Sequence, residues 1–464
     1  MKKLIIYAAV AVSVIITACS GVKNLQRPQL DMPAAFTGYA QADSASVADL
    51  EWWRFYADST LCRILDCVVR NNRDLLASEA RIEELRKLYG VRMANMLPQI
   101  GGNVYANHET NNYSGSGTTR DPEFGLKIPV SWEINLWGSL SWSKKEGKAL
   151  WLASEEDYRA LQVSLIARAA ETYFRLVALE NELSIVRRTA ESRQESMRMA
   201  KIRFEGGLTS ETVYRQAMVE YSSAASLVPA LEQKLVDTRN SLTLLMGEYP
   251  HDIDFDLRYS AVLTAPDSLP VGLPSSLLKR RPDVRAAGQR LSAAMAAAGY
   301  AYADRFPTFT IGFTPGHEND RLKDFFKSPF TFVVGSVTGP IFDFGRKKRK
   351  YEAAVAAYDQ ARYKYENTVI RAFTEVDTAI EAYGNVRESS KRMMDLRDAA
   401  AKYIQLAYLQ YRAGTLNYID VLDAERRYFN AQVDVSNAIR DEYIALVEMY
   451  KVLGGGWDLY LAPR

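Results

Sequence analysis

Apolar and polar side chains alternate strictly through residues 123–136, which read EFGLKIPVSWEINL. Such a period of two predicts a β-strand with one apolar face. A membrane-spanning strand needs about 9–11 residues, so this segment is long enough to be one. The side chains of the apolar face are Phe124, Leu126, Ile128, Val130, Trp132, Ile134 and Leu136.

Weaker patterns predict three further strands, and so two hairpins in all. Residues 309–313 alternate in the same way, 330–344 has a mixed pattern, and 99–109 is the least regular. The polar segment 110–121 contains Gly and Ser, which predicts a loop outside a membrane. A soluble sandwich with one buried face would also alternate, but that fold suits neither the long helices nor the N-terminal anchor described below.

A spacing of three and four residues predicts helices elsewhere. No proline occurs between Pro129 and Pro229 or between Pro340 and Pro463, so these stretches lack the residue that most often breaks a helix. A helix over residues 139–205 would be about 100 Å long at 1.5 Å per residue. The spacing is typical of a coiled-coil seam, although a long helix of a soluble bundle would show it too. The seam residues are Leu176, Leu179, Leu183 and Val186 and, in the second stretch, Val421, Ala424, Tyr428, Ala431, Val435 and Ala438.

The chain contains an internal duplication. Asp74 and Pro98 recur 209 residues later as Asp283 and Pro307. A register kept over such a distance predicts two halves with the same fold. Each half is expected to contain a helix of about 35 residues, a β-hairpin, a very long helix and a return helix after a glycine break. Four residues recur 207 positions later: Gly138, Phe204, Gly207 and Ala217 correspond to Gly345, Tyr411, Gly414 and Ala424.

These features predict six segments along the chain. They are a signal peptide (1–18), a lipid-anchored segment (19–60), a first repeat (61–250) with its hairpin at 99–137, a Pro-rich linker (251–274), a second repeat (275–457) with its hairpin at 308–344, and a C-terminal tail (458–464).

The N-terminus indicates the compartment. Lys2 and Lys3 precede about 15 mostly apolar residues, the length of a signal peptide and too short to span a bilayer comfortably. Small residues and then Cys19 follow, which resembles a bacterial lipobox and implies cleavage before Cys19 and its acylation. Ser20 is not the aspartate that retains such lipoproteins in the inner membrane, which favours the outer membrane. An ordinary secreted protein with an incidental cysteine is the alternative.

Four strands per chain predict an oligomer. The smallest membrane barrels have eight strands, and open sheet edges are not tolerated in lipid. Other copies of the chain must therefore complete the sheet. The predicted fold class is mainly α, with a membrane β-barrel portion built from several chains.

Composition narrows the function further. The 464 residues carry a net charge of +2 at pH 7, which leaves no basic excess for binding nucleic acid. Three cysteines and three histidines argue against a disulfide scaffold and against a dedicated zinc site. The sequence contains no HExxH, Gly-rich phosphate loop or GxSxG motif. We therefore expect no enzyme activity, no cofactor and no bound metal.

Five segments resemble one known family in sequence and in order. They are EWWRFYADSTL (51–61), LPSSLLKRRPDVRAA (273–287), GPIFDFGRKKRKYEAA (339–354), YRAGTLNYIDVLDAERRYFNAQ (411–432) and ALVEMYKVLGGGW (445–457). The family is that of the TolC-like outer membrane factors, specifically the OprM-like lipoprotein branch that serves tripartite efflux systems. The resemblance covers essentially the whole mature chain.

The resemblance implies an architecture and a set of partners. It implies a homotrimer whose twelve strands form one barrel in outer membrane lipid and whose twelve helices form an α-barrel across the periplasm. The 251–274 linker would lie in the equatorial region. Such a channel conducts substrates passively after docking to a periplasmic adaptor protein and an inner-membrane transporter of the RND type, which supplies the energy.

The same resemblance implies the functional residues. The two glycine-containing turns would be the tips that dock the adaptor, and the second would also contain the pore gate. Carboxylates repeated by threefold symmetry form rings that favour cations. The predicted docking residues are Gly206, Gly207, Leu208, Thr209, Ala413, Gly414, Thr415 and Leu416, and the predicted gate residues are Tyr411, Arg412, Asp420 and Asp423.

Two departures from the family pattern affect the gate. Val213 and Leu416 stand where TolC has an aspartate and an arginine. The bonds of that gate therefore do not carry over, and Arg412 is the candidate to replace the missing arginine. The alternative for these charges is a solvated helix face without a gating role.

A second function class remains open. A pore-less, lipid-anchored trimeric coiled-coil protein with a structural or adhesive role would share the anchor and the long helices. It would not need the duplicated strand hairpins or the glycine turns. The sequence does not identify a transported substrate.

Overall fold

The structure is a computed structural model in which residues 46–50, 58–112, 117–253 and 274–457 are described, together with residues 25, 26, 28, 30–33, 35–37, 55, 56, 115 and 270–272. The predicted signal peptide, Cys19 and the C-terminal tail lie outside the described residues. So does most of the predicted linker.

Eight α-helices with defined bounds are found among the described residues, and all but the first of each half match in length between the two halves. The long helices α3 and α7 have 67 residues each, and the return helices α4 and α8 have 36 and 35. This repetition confirms the predicted internal duplication. The helices are α1 (Ser59–Asn71), α2 (Arg73–Ala94), α3 (Ser139–Glu205), α4 (Glu211–Met246), α5 (Leu277–Arg280), α6 (Pro282–Ala303), α7 (Arg346–Arg412) and α8 (Tyr418–Val452). Within the described part of the chain, no helix is both long enough and apolar enough to cross a membrane.

The first helix of each half is interrupted, so the prediction of one continuous helix is wrong. In the first half Asn72 separates α1 from α2 and has an extended backbone (φ −61°, ψ 126°). Its side-chain oxygen accepts hydrogen bonds from the backbone N–H groups of Asp74 and Leu75, at 3.0 and 3.2 Å. Its side-chain amide donates to the carbonyl of Leu245 at 2.9 Å. Asn72 therefore caps α2 and ties the break to α4.

Arg281 makes the corresponding break in the second half. Pro282 disfavours a helical backbone at the preceding residue, and Arg281 is extended (ψ 116°). Its buried guanidinium donates to the carboxylates of Asp283 and Glu375 at 2.7 and 2.6 Å, and to the carbonyl of Val452 at 3.1 Å. One side chain thus joins the start of α6 to α7 and to the end of α8.

The six described strands form one antiparallel sheet that is four strands wide, because two of its positions are each occupied by two strands placed end to end. The first position is occupied by β1 followed by β2, the second by β3 followed by β4, and β5 and β6 complete the sheet in that order. The outer edges, formed by β1–β2 and by β6, pair with no other described strand. The bounds are β1 (Gln99–Ile100), β2 (Asn103–Asn111), β3 (Thr119–Lys127), β4 (Val130–Ile134), β5 (Thr308–Asn319) and β6 (Pro329–Thr338).

The four predicted strands are therefore present, but some of their predicted limits are wrong. β2 and β3 extend into the segment predicted as a polar loop, which leaves only residues 112–118 between them. Pairing continues there because Thr110 and Asn111 lie opposite Arg120 and Thr119 in a regular ladder. The last strand ends at Thr338, although the predicted hairpin extends to residue 344.

The two faces of the sheet differ in polarity. Trp132 lies opposite Ile311, and Phe313 lies opposite Val333, all on one face. These four side chains are 43–71% exposed, so the single chain leaves this apolar face uncovered. The other face carries charged and polar residues of β3 and β5. An alternation of this kind is what a membrane strand shows when one face meets lipid and the other meets water.

The chain divides into two compact units. The sheet unit consists of the described residues within 1–30, 80–155 and 286–368, and the helical unit of the described residues within 31–79, 156–285 and 369–464. In the helical unit, buried apolar side chains of α1, α3, α4 and α8 form one core. Its most completely buried members include Leu61, Leu65, Val68, Leu176, Val186, Leu242 and Val447.

Candidate functional site: the two helix–helix turns

The first turn reverses the chain between α3 and α4. Gly207 has φ +70°, a left-handed conformation that glycine adopts without steric cost. The N–H of Gly207 donates to the carbonyl of Phe204 at 2.9 Å, and that of Leu208 donates to Arg203 at 2.8 Å. This pair of bonds is a Schellman-type end that satisfies the last carbonyls of α3.

The second turn, between α7 and α8, repeats this geometry. Gly414 has φ +75°, and its N–H donates to the carbonyl of Tyr411 at 3.0 Å. The N–H and the hydroxyl of Thr415 both donate to the carbonyl of Gln410, at 3.0 and 3.1 Å. The glycines recognised in the sequence therefore occupy the positions where the backbone needs a positive φ.

The predicted docking residues differ in how far they are available to a partner. Leu208 is 74% exposed at the end of the first turn. Thr209 is half-buried, and its hydroxyl has no hydrogen-bond partner among the described residues. In the second turn Leu416 packs inward against Val421 and Ala424. The remaining docking residues, Gly206, Gly207, Ala413, Gly414 and Thr415, are exposed.

A hydrogen bond joins the first hairpin to the second. Arg203, in the last turn of α3, donates from Nη1 to the hydroxyl oxygen of Tyr411 at 3.0 Å. The Tyr411 ring also lies 5.5 Å from the ring of Tyr418 and packs against the small apolar cluster at the end of α7. The arginine that meets Tyr411 is therefore Arg203, which the sequence did not single out.

The other predicted gate residues do not form one cluster with Tyr411. Asp423 accepts hydrogen bonds from Arg427 at 2.7 Å and Arg426 at 2.6 Å, on its own helix. These arginines hold the pKa of Asp423 below its usual range. Arg412 is exposed and Asp420 is half-buried, and neither side chain is hydrogen-bonded or ion-paired to another described residue of the same chain. Arg412 does not replace the missing arginine within one chain.

A polar cluster next to the second turn, with one buried and three half-buried members, was not predicted from the sequence. Arg193 of α3 is only 5% exposed and forms an ion pair with Glu220 of α4 at 3.1 Å. On α8, Glu425 accepts a hydrogen bond from the Tyr408 hydroxyl of α7. The Arg193 guanidinium also lies 5.4 Å from the ring centre of Phe429. In sequence these residues look like ordinary charges of a solvated helix, so no local signal could have distinguished them.

Burial changes the acid–base behaviour of this cluster. Desolvation by burial raises the pKa of Glu425, and the nearby Glu220 raises it further. The Tyr408 hydrogen bond and Arg193 act in the opposite direction. Burial and the hydrogen bond to Glu425 also raise the pKa of Tyr408. A cleft of about 240 Å³ adjoins the cluster and is lined by Tyr408, Glu425 and Phe429 among others.

Metal-binding geometry is not found in the described part of the chain, where no group of three or more His, Cys, Asp or Glu residues is arranged to hold an ion. Two helical hairpins end in exposed turns, and side-chain bonds join one hairpin to the other.

Comparison with known proteins relates this geometry to one family. The sequence model of the family described as outer membrane efflux protein matches residues 65–248 and again residues 273–455. Each match falls in one half of the internal duplication.

Individual relatives and structures agree with the family match. The solvent efflux pump outer membrane protein SrpC of Pseudomonas putida is 30% identical over 455 residues, covering 95% of this chain and 96% of SrpC. The probable outer membrane lipoprotein SilC of Salmonella typhimurium is 26% identical over 462 residues, covering 98% and 100%. The solved structure of the outer-membrane channel OprN superposes with a TM-score of 0.85 at 28% identity, covering 93% of this chain and 99% of that one.

Proposed function

The chain belongs to the outer membrane efflux protein family and is the outer-membrane channel of a tripartite efflux pump, and we propose that its two helix–helix turns close the channel and dock its periplasmic partner. The observation that carries this proposal is the hydrogen bond from Arg203 to Tyr411, which ties the two turns of one chain together. A closed state needs bonds of this kind, which hold the hairpin ends in one position and can be broken when a partner binds.

The assembly we propose is a homotrimer. One chain supplies a four-stranded sheet with two unpaired edges, and unpaired edges are costly in lipid. Three copies would pair edge to edge into a barrel of twelve strands. The exposed apolar face that contains Trp132 and Phe313 would then meet lipid, and the charged face would line the lumen.

Asp420 and Arg412 would act between copies in this trimer. Neither has a side-chain partner within the described part of its own chain, and both lie close to the second turn. Threefold symmetry brings three copies of each to the same level, where Asp420 can pair with a neighbouring chain. Asp423 is already paired with Arg426 and Arg427, so we assign it a supporting role in the helix rather than a gating role.

The turns also supply the docking surface for a periplasmic adaptor. Leu208 is the large apolar side chain most exposed at the first turn, and exposed apolar residues at such an end favour a protein partner. Energy would come from an inner-membrane transporter of the RND type. We further propose acylation at Cys19, supported by its lipobox-like context and by the lipoprotein description of SilC.

Single-channel conductance tests the gate. The purified trimer is inserted in a planar bilayer, with the Tyr411→Ala/Asp420→Ala double variant beside the wild type. Small, rare openings in the wild type and large, sustained openings in the double variant are expected. Arg198→Ala is the matched control, because the contacts of Arg198 with described residues, an ion pair with exposed Glu195 and a hydrogen bond to the Met199 sulfur, are all on its own helix.

Two other outcomes would contradict the proposal. Equal conductance of the wild type and the double variant would remove the gate from the second turn. Silence from every variant, in preparations verified as trimers, would show that Tyr411 and Asp420 are not what closes the channel.

A further inference from the structure

Two aromatic rings on the charged face of the sheet lie over glycines of the neighbouring strand. Tyr105 on β2 is directly opposite Gly125 on β3. Phe330 on β6 is directly opposite Gly316 on β5. Both rings are on the face that also carries Lys127 and Glu318, because directly paired residues share a face of a sheet.

The rings occupy the space that a side chain at each glycine would need. A Cβ atom added at Gly125 would lie 2.3 Å from Cε1 and Cζ of Tyr105. At Gly316 it would lie 2.8 Å from Cε1 and Cζ of Phe330 and 2.5 Å from the carbonyl oxygen of Leu126. These distances are far below van der Waals contact. A larger residue at Gly125 would therefore displace the Tyr105 ring, and one at Gly316 would clash with the Leu126 carbonyl as well as with the Phe330 ring.

Polar contacts hold the tyrosine ring in this position. Its hydroxyl lies 2.7 Å from Oε1 of Glu123 and 3.0 Å from Oε2 of Glu318. The hydroxyl has one proton and donates it to one carboxylate at a time. The ammonium of Lys127 lies 2.6 Å from the same Glu318 oxygen and 4.8 Å from the centre of the Tyr105 ring. Lys127 thus neutralises one carboxylate and also makes a cation–π contact with the ring.

We propose that Gly125 and Gly316 set the free width of the channel in its membrane portion. They do so by allowing Tyr105 and Phe330 to lie along the wall instead of projecting into the lumen. The effect is repeated in every chain around the lumen, so a small change at one glycine narrows the channel from several sides. The substrates most affected are the widest ones. This inference rests on the proposed function, because a lumen exists only where several sheets close into a barrel.

A size-dependent labelling experiment tests the inference without involving the periplasmic turns. Thr310 lies on the same face of β5 as Gly316 and six residues farther from the 320–328 loop. A reagent entering from the loop side must therefore pass the two rings before it reaches residue 310. The Thr310→Cys variant is made in a chain with Cys62→Ser and Cys67→Ser. Intact cells are treated with a small maleimide and with maleimide–polyethylene glycols of increasing mass, and labelling is normalised to the chain present in the outer membrane.

Gly125→Ala is expected to slow labelling by the largest entering reagent severalfold and to leave the small maleimide unaffected. Adding Tyr105→Ala to that variant is expected to restore the rate, because the displaced ring is gone. Gly335→Ala is the matched control: Gly335 is on β6 in the same sheet, faces the apolar side, and has no atom within 4 Å of an added Cβ. If Gly125→Ala does not reach the outer membrane, Tyr105→Ala and Phe330→Ala in the parent chain test the same point. Removing rings that lie along the wall should leave the labelling rate of the largest reagent unchanged, whereas a severalfold rise would show that the rings project into the lumen and would overturn the inference.

The possible failures are distinguishable. If the large reagent labels the glycine variant at the same rate as the wild type, the inference is overturned and the channel function remains intact. A loss that removing the ring does not restore would also overturn it. If even the small maleimide does not label Thr310→Cys above the background of the parent chain, no lumen reaches this residue from outside, and the proposed assembly fails together with the inference.

Discussion

Arg203 and Tyr411 are separated by 208 residues in sequence, and a hydrogen bond of 3.0 Å joins their side chains at the ends of the two helical hairpins. Arg203 lies in the last turn of α3, and Tyr411 lies in the last turn of α7. Because each belongs to a different repeat, their bond connects the two halves of the duplicated chain. A displacement of one turn would therefore be transmitted to the other turn through this hydrogen bond.

A double-mutant cycle on this pair should reveal coupling. Arg203→Ala and Tyr411→Phe each remove the bond, so the double variant should open no more often than the more active single variant. At an exposed site we expect about 1 kcal/mol, or roughly fivefold in the open-to-closed ratio. Single-channel recording provides that ratio. Strictly additive effects of the two substitutions would show that the bond does not hold the closed state.

The half-buried Glu425 should make stability depend on pH. Its pKa is raised in the folded chain, so the folded state binds more protons than the unfolded state between the two pKa values, and stability falls as pH rises through that interval. Glu425→Gln keeps an acceptor for Tyr408 and should reduce this fall, leaving the part due to Glu171, whose pKa burial also raises. Thermal unfolding of the detergent-solubilised protein from pH 4 to 8 measures it.

Glu195 provides the control of opposite sign. Arg198 lowers the pKa of this exposed carboxylate, so its small contribution is present above its unfolded-state pKa and is lost as pH falls. Glu195→Gln should therefore leave the fall at rising pH unchanged. A Glu425→Gln variant with the same pH profile as the wild type would contradict the assignment of Glu425.

Loss of the Arg281 guanidinium should destabilise the helical unit. Arg281→Met removes the donor that Asp283, Glu375 and the carbonyl of Val452 share. The two carboxylates are 41% and 37% exposed and can be hydrated, so we expect a cost of about 1–3 kcal/mol rather than that of a fully buried ion pair. Arg281→Lys should rescue only part of this loss, because an ammonium cannot reproduce the planar fork.

Arg392→Met is the control for this prediction. Arg392 pairs with Glu388 one turn away on an exposed helix face, where such pairs contribute under about 1 kcal/mol. Thermal unfolding distinguishes the two cases. Equal shifts in the unfolding midpoint for Arg281→Met and Arg392→Met would show that the Arg281 network stabilises the fold no more than an exposed ion pair does.

Glycines with the same backbone conformation should respond differently to alanine. Gly207 and Gly414 have positive φ but open space around an added Cβ, so alanine should cost only the backbone strain, about 1–2 kcal/mol. Gly247 has φ +74°, and an added Cβ would lie 2.3 Å from the carbonyl oxygen of Asn71. Gly247→Ala should therefore lower the unfolding temperature more than either turn variant. The reverse order would mean that backbone strain alone governs these positions.

Some features could be predicted because they depend on neighbouring residues only. The alternation over 123–136 predicted β3 and β4 because side chains of a strand point to opposite faces in turn. The alternation did not predict that the strand is interrupted at Ile128 and Pro129, although the sequence contains a proline at that point. Proline tolerates strand edges and bulges as well as breaks, so its presence did not decide among them.

Other features depended on partners far away in the chain. Asn72 and Arg281 break the first helix of each half because their side chains bond to α4 and to α7 and α8, respectively. A helical pattern in 59–94 contains no information about those partners. The same is true of Arg193 and Glu425, whose burial comes from the packing of separate helices.

The sequence by itself determined the duplication, the strand and helix periods, the glycine positions of the two turns and the family resemblance. Each of these features follows from the order of the residues alone, because backbone periodicity and a positive φ are local requirements. Only the tertiary structure decided that Arg203 meets Tyr411, that Glu425 is half-buried beside Tyr408, and that Tyr105 lies on Gly125. These contacts join segments 17 to 208 residues apart, and the free energy of a charge or a ring depends on what folding brings beside it.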